Sequence, residues 1–144
     1  MVSRIFLEFR RLKFYGVLKY FSMYPHRIGV LFTRMVLRRR YYSRNFSGFS
    51  MALDLTDGGI SSILATAGSR EEETIAILSQ ELEPGMTVFD LGANIGFYGL
   101  FCANIVGSTG HILSVEPEVR NFDLLKKNVD RCPLHLSFLV LLNL

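Results

Sequence analysis

The chain has 144 residues, 49% of them hydrophobic and 20% charged, which suits one folded domain of ordinary size and excludes a disordered polar segment. The net charge of +3 conceals a division: residues 1–44 hold 11 of the 16 Lys and Arg side chains but only Glu8 among the 13 acids, whereas the rest holds 5 bases and 12 acids. A basic arm of +10 is therefore joined to an acidic remainder of −7. Residues 2–22 lack proline and are rich in Leu, Phe, Arg and Lys, a helical composition, but their bases fall on several sides of the helical wheel. Pro25 interrupts this pattern, and a second helix is predicted over 27–42, followed by "NFSGFS" as a linker. The predicted organisation is a basic helical extension, 1–46, and an acidic domain, 47–144.

In the acidic part, "MALDL" alternates as a strand and "TDGGIS" is a turn. Ser69-Arg70-Glu71-Glu72 has the spacing of a capping box, and Glu71, Glu72 and Glu73 suit the positive end of a helix. Ile75, Leu78 and Leu82 continue that helix from about residue 70 to 82, where Pro84-Gly85 stops it. "MTVFDL" then reads as a buried strand, "GANIG" as a tight loop, and "FYGLFCANIV" as a helix apolar nearly all round. "HILSV" is the next strand and ends in Glu116-Pro117; Phe122, Leu125 and Val129 mark one face of a following helix. Strand, helix, strand and helix in this order predict an α/β unit with parallel strands, whose ligand site lies at the carboxyl ends of those strands.

The loop "VFDLGANIGFYG" carries the chemistry. It lacks the Lys-Ser/Thr pair of a P-loop. A dinucleotide loop wants a middle glycine, but Asn94 stands two residues after Gly92, and the Asp90 carboxylate repels phosphate. A cationic nucleoside without phosphate fits better. Asp90 attracts the sulfonium and ammonium of S-adenosylmethionine, Gly92 and Gly96 let the backbone approach it, and Glu116 accepts from ribose hydroxyls. Asn94 either touches the cofactor or tolerates a left-handed turn. Tyr98 is read as core before site lining, and the three glutamates as helix-end charges before site residues.

The remaining titratable residues point to no second chemistry. His26, His111 and His135 are isolated, and no metal cluster or catalytic pair is visible. Cys102 and Cys132 lack metal or disulfide-scaffold spacing, so reduced thiols in a cytoplasmic protein are expected. No run approaches the ~20 apolar residues of a membrane span. Arg38-Arg39-Arg40 with two tyrosines lacks an RNA-binding signature, so nucleic acid is disfavoured. An anionic membrane surface remains a candidate partner for residues 1–44, making the location cytoplasmic or peripheral.

"TVFDLGANIGFYGLFCANIVGSTGHILSVEPEVRNFDLLKKNV", with "LDLTDGGIS" and "GSREEETIAIL" before it, resembles the cofactor-binding half of the FkbM family of methyltransferases over roughly residues 50–130. The resemblance implies a Rossmann-like class I methyltransferase fold, S-adenosyl-L-methionine as cofactor, and methyl transfer to a hydroxyl of a sugar, lipid or natural product. By matching positions, Asp90, Gly92, Ala93, Asn94 and Gly96 form the cofactor loop, Glu116 holds the ribose, and Pro117 lies toward the adenine. The family's acceptor surface follows the second helix, where this sequence reads "VDRCPLHLSFLVLLNL" and offers at most one more strand. The expectation is thus a methyltransferase truncated after the second or third strand, with an unassigned catalytic base, weak cofactor binding and no turnover alone. The alternative is a non-catalytic membrane-surface or partner-binding protein acting through its basic arm.

Overall fold

A computed structural model describes residues 25–68, 71–132 and the backbone of 137–140. The predicted helix over 2–22, His135 and the Ser69 end of the capping box lie outside these residues. The first helix, α1, is helical over the described residues 25–35 and includes Pro25, whose ring fixes φ at a helical value. It stops well short of residue 42. Arg38, at φ 49°, takes the chain out of helical geometry and into a strand.

That strand corrects the linker reading. Tyr41–Phe46 (β1) and Phe49–Asp54 (β2) form an antiparallel hairpin, with Tyr41 opposite Asp54 and Phe46 opposite Phe49. Gly48, at φ 91°, turns the chain between them. The proposed division at residue 46 therefore falls at a hairpin turn between two paired strands. Met51, Ala52 and Leu53 of β2 are fully buried, and the Phe46 and Phe49 rings stack at 5.3 Å.

Next comes a short helix without a counterpart in the sequence reading, Ile60–Thr66 (α2). Asp57 starts it by accepting from the Gly59 and Ser61 amides at 2.8 and 3.1 Å. Arg44 ends it by donating to the Leu64 and Ala65 carbonyls, both at 2.9 Å. The next helix, Glu72–Glu81 (α3), begins two residues later than predicted and has Glu71 at its N-cap. Its Ile75 and Leu78, with Leu82 beyond it, are half-buried against the core, on the face the periodicity indicated.

The remaining elements follow the predicted alternation: Thr87–Leu91 (β3), Phe97–Val106 (α4), His111–Val115 (β4), Val119–Asp130 (α5) and Ser137–Val140 (β5). The three strands form one parallel sheet in the order β3-β4-β5. α4 packs its Cys102, Ala103 and Val106 on Ile112 of β4, while Leu100 joins Met51, Leu53 and Leu64 in a second cluster beneath the hairpin. On α5 the buried side chains are Leu124, Leu125 and Asn128; of the predicted face Leu125 is buried, and Phe122 and Val129 are half-buried flanks. On β3, Phe89 and Leu91 are 65% and 76% exposed, the uncovered apolar face expected of a small parallel sheet.

Candidate functional site

β3 and β4 run parallel with Asp90 beside Ser114 and Leu91 beside Val115. Both chains leave the sheet at the same edge, and the loop after β3 turns directly over the end of β4. The Gly92 and Ala93 amides both donate to the Val115 carbonyl, at 2.8 and 2.9 Å. The loop then closes on itself, with the Gly96 amide donating to Ala93 at 2.9 Å. Three residues reach this curvature through positive φ: Gly92 (80°), Asn94 (52°) and Gly96 (91°). Asparagine is among the few side chains that tolerate that region, which accounts for its presence where a dinucleotide loop has glycine.

The two outer glycines do different work. A Cβ on Gly92 meets nothing within 4 Å, so its exposed backbone faces open space. A Cβ on Gly96 comes within 2.6 Å of Leu125 Cδ1, so this glycine lets α5 pack on the loop. Gly96 then occupies the N-cap of α4, and the Leu100 amide donates to its carbonyl at 3.0 Å.

Glu116 is 5% exposed and lies at the end of β4. Its Oε2 accepts from the Asn94 amide at 2.8 Å, and its Oε1 accepts from the Glu118 amide at 2.9 Å. The carboxylate thus clasps the loop and the start of α5 together, a role not read from the sequence. A carboxylate has about four acceptor positions, so each oxygen keeps one for a ligand. Pro117 follows as an exposed residue at the rim, and Ala93 is buried under the loop.

Asp90 points from β3 toward α4, not outward with Phe89 and Leu91. Its Oδ2 lies near Gly99, where an added Cβ is 3.1 Å from Oδ2 and 2.9 Å from Ser114 Oγ. Burial pushes the Asp90 carboxyl above the ordinary carboxylate range; the Gly99 amide opposes this and the Glu116 charge adds to it. Asp90 Oδ2, Asn94 Oδ1 and Ser114 Oγ are buried without a hydrogen-bond partner. The two carboxylates of this site, Asp90 and Glu116, suit a ligand carrying donors and positive charge, and do not suit a phosphate. The same surroundings hold Cys102 protonated: burial, then the Asp90 charge, pushes its thiol up to about 11.

Two contacts connect this site to the preceding elements. Tyr98 on α4 donates its hydroxyl to Glu71 at 2.5 Å, joining two residues that the sequence reading weighed separately. Asn128, fully buried on α5, was passed over. Its Oδ1 accepts from the Ala52 amide at 2.8 Å, and its Nδ2 donates to the Ala52 and Ile95 carbonyls at 3.2 and 2.9 Å. One side chain therefore binds the hairpin, α5 and the Gly92–Gly96 loop. The available signal was an amide on the same helical stripe as Leu124 and Leu125. Among the described residues no group of His, Cys, Asp and Glu is arranged to hold a metal ion, and no helix is long and apolar enough to cross a membrane.

No protein-family model matches the chain. Over 63 residues it is 32% identical to the hexuronic acid methyltransferase AglP of Haloferax volcanii, a match covering 44% of this chain and 25% of that protein. Its fold aligns with P. horikoshii TYW2, solved in complex with MeSAdo, at a TM-score of 0.54 and 16% identity, over 81% of this chain and 46% of that one. A Streptococcus mutans protein described as a SAM-dependent methyltransferase aligns at a TM-score of 0.53 and 17% identity, over 71% of this chain and 26% of that one. The chain therefore has a partial Rossmann-like core of the class I methyltransferase kind, and it spans about a quarter of AglP and about half of TYW2.

Proposed function

We propose that the loop Gly92–Gly96 and Glu116 bind S-adenosyl-L-methionine, and that the chain carries the cofactor-binding part of an FkbM-type methyltransferase. The observation that carries this reading is the clasp between Glu116 Oε2 and the Asn94 amide beside the open face of Gly92. It sets a buried carboxylate with spare acceptor positions next to backbone that a ligand can approach closely. In this reading Glu116 accepts from the ribose hydroxyls and Pro117 borders the adenine. Asp90 supplies negative charge below the loop for the cationic end of the ligand, while Gly92, Ala93 and Asn94 shape its path. The bound cofactor supplies an activated methyl group and its leaving group; the protein supplies position and the exclusion of water.

The acceptor class rests on the relative whose name states it. AglP is a hexuronic acid methyltransferase, and its match to this chain supports a sugar as the acceptor. No described residue is assigned as the base that removes the hydroxyl proton.

Calorimetry of the purified chain tests the reading. S-adenosylhomocysteine is expected to bind, NAD is expected not to compete, and Gly92→Val is expected to abolish binding by filling the open face. Displacement of the ligand by NAD, or undiminished binding by Gly92→Val, contradicts it.

A further inference from the structure

α1 and its surroundings form a surface that the cofactor site does not use. One side of α1 is fixed to the hairpin: His26 Nδ1 lies 3.2 Å from the Tyr42 hydroxyl, and Val30 packs against the core. The opposite side carries Ile28, Leu31, Phe32, Met35 and Val36, all 52–72% exposed. Their i, i+3, i+4, i+7, i+8 spacing makes one continuous apolar stripe. Unlike residues 2–22, this segment separates its faces: Arg34 lies outside the stripe, and Arg38 and Arg39 follow it.

Beside the helix end is a cleft of about 540 Å³ whose lining includes Arg39, Arg40, Tyr41, Lys127 and Arg131. These bases come from two parts of the chain, and Lys127 and Arg131 belong to the half that is acidic overall. Arg40 is bound to Asp54 at 2.6 Å, and Lys127 sits 3.6 Å above the Tyr41 ring. Arg39, Lys127 and Arg131 make no ion pair among the described residues.

We propose that this side of the molecule docks on an anionic phospholipid surface, with the α1 stripe among the acyl chains and head-group phosphates in the Arg39–Lys127–Arg131 cleft. A lipid surface offers both chemistries at adjoining depths, apolar chains below and phosphate above. Nucleic acid answers the bases but leaves the five apolar side chains in water. A second copy of the chain answers the stripe but sets two basic clefts against each other.

The test is sedimentation of the full chain with vesicles of phosphatidylcholine alone and of an equal mixture with phosphatidylglycerol. The chain is expected to bind the mixed vesicles and not the neutral ones. Binding is expected to fall roughly a hundredfold in the Arg39→Gln/Lys127→Gln/Arg131→Gln variant, and at least about tenfold in Leu31→Ser/Phe32→Ser/Met35→Ser. Equal binding to both vesicles, wild-type binding by either folded variant, or release by millimolar inorganic phosphate overturns the proposal. A stable dimer that the serine variant dissociates also overturns it. Should either variant fail to fold, salt dependence of the unmodified chain decides: loss of binding as salt rises supports docking, and salt-independent binding refutes it.

Discussion

The Gly92–Gly96 loop and α1 solve opposite problems. Around the loop almost every backbone polar group is tied down: Gly92 and Ala93 to Val115, Asn94 to Glu116, and Ile95 to Asn128. Three buried side-chain atoms there, Asp90 Oδ2, Asn94 Oδ1 and Ser114 Oγ, have no hydrogen-bond partner. Around α1 the backbone bonds are local and the apolar side chains face outward. A site for a small ligand needs a rigid frame with a few unmet polar atoms, whereas a docking surface needs exposed apolar area next to charge. What a region leaves unsatisfied indicates the kind of ligand it suits.

The largest effect is expected at Asn128. Asn128→Leu removes three buried hydrogen bonds and leaves the Ala52 and Ile95 backbone groups unpaired; a loss of about 3 kcal/mol is expected in urea denaturation. A loss under about 1 kcal/mol contradicts the frame described here. Gly96→Ala comes next. Its φ of 91° and the 2.6 Å approach to Leu125 predict a cost of about 2 kcal/mol, read the same way. Gly92→Ala separates the two glycines: the backbone strain is similar, about 1 kcal/mol, without any clash.

Asp90→Asn sharpens the contrast between stability and function. Because burial holds the Asp90 carboxyl above its unfolded value, its ionised form opposes folding at neutral pH. The neutral amide is expected to leave the denaturation midpoint unchanged or higher while weakening S-adenosylhomocysteine binding at least about tenfold. A lower midpoint with unchanged binding contradicts this assignment.

The smallest effect is expected at the Arg40–Asp54 pair, at 2.6 Å. Burial alone raises the Asp54 carboxyl, but bonds from Arg40 and Thr56 outweigh it and bring it down to about 2. Its folded value is depressed, so its contribution to stability is full above the unfolded value near 3.8 and fades as pH falls toward 2. The pH dependence of melting across that window is expected to flatten in Asp54→Asn.

Much of the loop was legible because its sequence rules are local. Val88 to Gly99 had to turn tightly after a strand, and Glu116 had to end the next one. The hairpin was hidden by Arg44, an inward-facing base on β1 that breaks apolar alternation because it ends α2. Pro25 looked like a break and is helical. α2 has 7 residues and takes its start from Asp57, so its periodicity was too short to register. Asn128 and the clasp by Glu116 depend on elements brought together from 76 and 22 residues away, which no local pattern reports.

Amide hydrogen exchange with and without saturating S-adenosylhomocysteine locates the ligand on the chain. The ligand is expected to slow exchange at residues 92–96 and 116–118 and to leave 25–46 unchanged. Protection confined to 25–46, or no protection at the loop, contradicts the assignment of the cofactor site.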